Sequence, residues 1–169
     1  IFSGCIFIDN TNCGIFLNIS AAMFNKQTPL KRISLTNTIV YIGASEGGIG
    51  VFSNCDNLEK ANIPKHLGYY KIPTKNGALT YNTTRTVPGH YFHNCFNLSN
   101  ITIPDGITQI GFSAFYACDN VKTIIIPSSV TTIYSNSLLT VNRETPRYIN
   151  VKGDLNADDN NKTNITFFS

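Results

Sequence analysis

Residues 98–118 read LSNITIPDGITQIGFSAFYAC, and they contain every part of a short unit that recurs along the chain. Ile101 and Ile103 flank a polar residue, so a strand here turns both isoleucines to one face and Thr102 to the other. Pro104 has no N–H with which to continue a ladder, and it ends the strand. Ile107 and Ile110 mark a second extended segment, closed by Gly111, whose missing side chain permits conformations that other residues find costly. Ala114 and Phe115 supply a small residue and a large apolar plug, and Cys118 follows three positions later.

The same order returns elsewhere. Phenylalanine, then cysteine three later, then an aliphatic residue six later is met at Phe2, Cys5 and Ile8; at Phe52, Cys55 and Leu58; at Phe92, Cys95 and Leu98; and at Phe115, Cys118 and Val121. Phe24, Gln27 and Leu30 carry it with glutamine in the cysteine slot, and a degraded copy begins at Leu138. The aliphatic pair and proline recur in Ile63-Pro64 and Ile126-Pro127, and the second segment in Ile42-Gly43 and Ile133. Phe2 and Phe24 stand 22 residues apart, and Phe92 and Phe115 stand 23 apart. One such unit cannot bury its apolar edge alone, whereas a stack of them can.

These residues resemble the BspA-like leucine-rich-repeat family, most closely in 98–118 and in VKTIIIPSSVTTI (121–133). The resemblance implies a leucine-rich-repeat solenoid with short parallel strands on its concave face. Extended, turn and short helical segments lie elsewhere, in about five to six coils of roughly 23 residues. Residues 1–152 are assigned to the solenoid and 153–169 to a C-terminal polar tail or cap. The regular spacing is interrupted by a short insertion at 45–48 and a long one at 68–89, where Asn76-Gly77 between extended stretches is a hairpin signal.

Bulk composition agrees with a chain of many short strands and turns. Asparagine and isoleucine each occur 21 times and tryptophan is absent; asparagine suits turns because its side chain mimics backbone and tolerates the left-handed region. The net charge of +3 comes without a basic block, so no nucleic-acid binding is expected. No apolar run is long enough to span a bilayer, so no direct membrane insertion is expected of this segment. The chain opens on apolar residues with no basic region, which reads as a fragment without a secretory signal at its start.

Nothing in the sequence composes a catalytic centre. Cys5, Cys55, Cys95 and Cys118 share one slot of the unit, which explains them as a column of buried thiols; Cys13 reads as core. His90 and His93 lie near Cys95, but a zinc site needs about four converging ligands and no fourth is evident. GASEGGIG (43–50) lacks the lysine of a phosphate loop. Asp154, Asn156 and Asp158 begin like a calcium loop, yet Asp159 stands where glycine is required and Ile165 where an acid is. No cofactor, no metal and no enzymatic activity are expected. Six glycosylation sequons occur, and an asparagine-rich chain produces them by chance.

Function then falls to the outward surface. The outward strand positions include Arg32, Glu59, Lys60, Asn62, Thr102, Lys122 and Ile125, which stacking would align into columns on a mildly basic face. The long insertion offers Tyr69, Tyr70 and Tyr81 as aromatic anchors. Together with the resemblance, this implies a non-enzymatic protein-binding or adhesion module of a cell-surface or secreted protein, with a protein or glycoprotein ligand. The alternative is a structural spacer or intracellular assembly component built on the same solenoid.

Overall fold

The computed structural model describes residues 4–8, 18–19, 24–26, 29–35, 41–42, 49–68, 71–73, 75–77, 79–81, 85–141 and 148–151. Its strands are, in chain order, β1 (Gly4–Ile8), β2 (Asn18–Ile19), β3 (Leu30–Leu35), β4 (Tyr41–Ile42), β5 (Lys71–Pro73) and β6 (Leu79–Tyr81). There follow β7 (Thr86–Val87), β8 (Ile101–Thr102), β9 (Gln109–Ile110), β10 (Thr123–Ile126), β11 (Thr132–Ile133) and β12 (Tyr148–Val151).

Successive repeats meet along three ladders. The first joins the aliphatic-x-aliphatic strands in parallel: β1 with β3, β8 with β10, and β10 with β12. Single bridges through Lys60 connect Arg32 to Asn100 and so carry this ladder across the repeat between. The alternation expected from period two is explicit in β10, where Ile124 and Ile126 are buried and Thr123 and Ile125 are exposed. Where a proline follows the strand its carbonyl accepts a turn hydrogen bond, from Leu67 N to Pro64 O at 3.1 Å and from Val130 N to Pro127 O at 3.1 Å. The second ladder joins the Ile-Gly segments: β2 with β4, and β9 with β7 on one side and β11 on the other.

The third ladder is built from turns. Phe24, Phe52, Phe92 and Phe115, each at most 1% exposed, lie ring upon ring with centroids 5.3, 5.4 and 6.1 Å apart. Their N–H groups donate forward to the next repeat, Phe52 to Tyr91 O at 3.1 Å and Phe92 to Ala114 O at 2.8 Å. Two residues on, Asn54 donates to His93 O at 2.8 Å and Asn94 to Tyr116 O at 2.9 Å. Short helical segments were expected here, and among the described residues none is found. Lys26, Asn54, Asn94 and Ala117 all have φ between 57° and 59°, which no right-handed helix accommodates, and the N–H groups serve the neighbouring repeat instead.

Each cysteine of the repeat has a task beyond filling space. The thiols of Cys55, Cys95 and Cys118 donate to the carbonyls of Phe24, Phe52 and Phe92, at 2.9, 3.1 and 3.1 Å. All three are buried and free. Those carbonyls would otherwise be buried with spare acceptor capacity, which a small apolar residue could not use.

The first repeat is displaced from the expected register. Ile6 pairs with Ile33 and Ile8 with Leu35, so Ile6-x-Ile8 is the aliphatic pair of a strand, and Cys5 lies opposite Arg32 rather than in the phenylalanine–cysteine turn. The match of Phe2, Cys5 and Ile8 to the anchor was coincidental; parallel pairing is decided by which residues oppose Ile33 and Leu35. Cys13, residues 43–48 and the calcium-like stretch from Asp154 lie outside the described residues.

In the long insertion β5 and β6 pair antiparallel, Lys71 with Tyr81 and Pro73 with Leu79, around exposed Asn76 and Gly77. Gly77 has φ 76°, the left-handed value a tight turn requires. Within the 68–89 interval, Thr86 and Val87 pair with Gln109 and Ile110 of the next repeat. Arg85 stands just before them. The guanidinium donates to the carbonyls of Lys65 and of Leu67, the latter at 3.4 Å, bracing the two ends of the excursion.

Candidate ligand-binding face

The outward residues of the first ladder form the most regular surface among the described residues. Parallel pairing aligns Arg32 with Lys60 and Lys60 with Asn100, and a second column aligns Thr102 with Ile125. Strands in one sheet lie about 4.8 Å apart, so members of a column are immediate neighbours. Arg32, Lys60, Asn100, Thr102 and Lys122 are exposed, Glu59 is half-buried, and Ile125 keeps 41% of its surface in water.

The charges on this face are unbalanced. Glu59 lies 4.0 Å from the ammonium of Lys31 and 3.9 Å from the guanidinium of Arg32, at the outer limit of ion pairing. Lys122 reaches only a backbone oxygen, that of Asp119 at 3.3 Å. Lys60 has no ion pair among the described residues. Asn62 is committed to the fold: its amide accepts from Leu35 N at 2.7 Å and donates to Leu35 O at 2.8 Å, taking the place of a strand partner. Tyr69 and Tyr70 lie outside the described residues, and Tyr81 is placed in β6 as backbone.

On the turn ladder, the asparagine amides form a chain of their own. Asn54 donates to Asn25 at 3.1 Å and Asn94 donates to Asn54 at 2.9 Å. Reading the sequence by anchors passed over this chain, although FSNC and FHNC both hold asparagine two residues after the phenylalanine. The same left-handed slot that asparagine tolerates was the available signal.

His90 and His93 sit beside this chain, with ring centroids 5.2 Å apart. His93 stacks on Tyr116 at 5.1 Å, and His90 meets Phe112 edge-on at 5.3 Å. Burial lowers the pKa of both, and for His93 the neighbouring His90 lowers it further. The Cys95 thiol is buried against Phe52 O, and burial followed by the neighbouring Cys118 and Cys55 thiols pushes its pKa well up. Among the described residues no group of three or more His, Cys, Asp or Glu side chains gathers as a metal would require.

Repeated strands, phenylalanine plugs and hydrogen-bonded cysteines in one register are the substance of a family pattern. That of the BspA type leucine rich repeat region matches residues 1–75 and 85–147 in six copies. The chain belongs to this family. The interval between the two matched stretches falls within the hairpin insertion. Among solved structures, a leucine rich cell surface protein from Faecalibacterium prausnitzii A2-165 superposes on 96% of this chain with a TM-score of 0.69 at 24% identity. The leucine rich repeat protein of T. pallidum superposes on 76% with a TM-score of 0.56 at 21% identity. At these identities the likeness is one of fold. The chain spans 36% of the first protein and 50% of the second. No curated protein matches it.

Proposed function

We propose that this segment is a non-enzymatic protein-binding module of a cell-surface or secreted protein, and that adhesion to a protein or glycoprotein is its role. The observation that carries the reading is the outward face of the first ladder, where Arg32 and Lys60 align in one column and Lys122 is exposed two repeats beyond Lys60. BspA-type repeat membership supports it, as does likeness of fold to a protein described as a leucine rich cell surface protein. Repeat arrays lend themselves to such a task because the stack fixes an extended surface whose outward residues vary freely. We propose Tyr69, Tyr70 and Tyr81 of the insertion as a second set of contacts.

The test is adhesion of beads coated with the chain to a panel of immobilised surface and matrix glycoproteins. Simultaneous reversal of Arg32, Lys60 and Lys122 to glutamate should abolish capture, and removing the hairpin tip should weaken it. Adhesion that survives the triple reversal in a folded variant removes the face from consideration. Failure of the unaltered chain to bind any protein favours a spacer.

A further inference from the structure

Resting on that reading of the face, we infer that its ligand is an acidic polypeptide segment carrying an apolar side chain among its carboxylates. Three observations lead there. Arg32 and Lys60 stand directly opposite each other on neighbouring strands, about 4.8 Å apart in backbone, where like charges repel. A fold gains nothing from such a pair, and an aspartate or glutamate at either position would have relieved it. Glu59, the single carboxylate among the named outward positions, is divided between Lys31 and Arg32 at the limit of contact, and among the described residues Lys60 has no ion pair. Lys122 extends the positive field along the ladder, with its ammonium on the backbone carbonyl of Asp119 and in no ion pair among the described residues.

The third observation separates a peptide from other polyanions. Ile125, 41% exposed, pairs with Thr102 on the same ladder, two repeats beyond Lys60 and three residues after Lys122, and offers an aliphatic surface within the reach of a short extended peptide that spans the cations. A sulfated polysaccharide satisfies the cations and leaves the isoleucine wet. A peptide with leucine, isoleucine or phenylalanine beside glutamate or aspartate satisfies both, gaining steering from charge and affinity from apolar burial.

The experiment pans a displayed library of random short peptides on the immobilised chain. The recovered peptides are then measured against the parent, Lys60→Glu, Lys60→Gln, Arg32→Glu and Ile125→Ser by fluorescence polarisation. Heparin fragments and phosphatidylserine vesicles are run as separate probes. Recovered sequences should pair acidic with large apolar residues. Their affinity should fall about tenfold or more in Lys60→Glu and in Ile125→Ser, and should fall with added salt. Lys60→Glu should melt at the same temperature or higher, since it removes a like-charge neighbour, which separates lost recognition from lost folding.

Peptides that are neutral or basic, yet are lost on substitution of this face, would overturn the acidic ligand and leave the face as a binding surface. Peptides indifferent to every substitution here would overturn the face as well. Lys60-dependent binding of heparin or vesicles with no peptide recovered would assign the cations to a glycan or a membrane instead. An empty selection with all probes silent would end both readings.

Discussion

At the scale of the residue, the carbonyls of Phe52 and Phe92 each gather the cysteine N–H of their own repeat and the cysteine thiol of the next. Phe92 lies between the rings of Phe52 and Phe115, and its carbonyl accepts from Cys95 N at 3.1 Å and from the Cys118 thiol at 3.1 Å. Phe92→Ala removes a fully packed ring from a column with no room to collapse, and should cost about 3–5 kcal/mol in denaturant unfolding. Thr102→Ala, on the outward face, should change stability by no more than about 0.5 kcal/mol. The thiols make a second prediction. Cys55, Cys95 and Cys118 should resist alkylation by iodoacetamide at mildly alkaline pH and react fully in guanidinium, as read by peptide mass mapping. Alkylation of native Cys95 would show that the stack opens there. Sequence spacing alone identified these cysteines as buried; that each caps a carbonyl of the preceding repeat depends on how repeats stack.

At the scale of the element, close approach between ladders decides which glycines are irreplaceable. A Cβ on Gly111 would lie 2.5 Å from Gly89 N and 2.8 Å from Val87 O, backbone atoms of the preceding repeat that cannot yield separately. A Cβ on Gly77 would meet nothing within 4 Å, leaving only the strain of φ 76°. Gly111→Ala should therefore destabilise more than Gly77→Ala, for which about 1 kcal/mol is expected. Thermal melts of the two variants test the order. The turn ladder also makes stability depend on pH. Burial holds His90 and His93 below the ordinary histidine value of 6.5, and their mutual repulsion opposes charging of the pair. The unfolded chain thus takes up protons first as pH falls. Stability should be level above the free value and should decline as pH drops below 6.5 towards the depressed values. Replacing both histidines with asparagine should flatten that part of a melting-temperature profile.

At the scale of the whole molecule, stability is divided between repeats and the contacts joining neighbours. The hairpin lies outside that sum: Leu67 is buried before it, Arg85 braces its base, and Val87 is buried after it. Replacing residues 74–78 with a shorter turn should leave cooperative unfolding intact and shift the melting temperature by only a few degrees. A large loss would show that the hairpin covers the repeat beneath it. The unit was legible in its phenylalanines, prolines and aliphatic pairs because each position has the same job in every copy. The first copy was misread at Cys5 because a three-residue spacing occurs by chance in a strand as readily as in a turn. Arg32, Lys60, Thr102, Lys122 and Ile125 are exposed along the first ladder, whereas Asn62 spends its amide on Leu35.

The sequence by itself determined the repeating unit and the direction each of its residues faces, since period-two alternation and a proline stop act within a few residues of chain. Tertiary structure alone decided which residues of different repeats become neighbours. Arg32 and Lys60 are 28 positions apart and Lys60 and Asn100 are 40 apart, because insertions of unequal length separate them, yet all share one rung column. Parallel stacking discounts the length of an excursion and keeps only the register of the strands on either side. The charge pattern of the proposed binding face is therefore a property of the stack and is written in no single repeat.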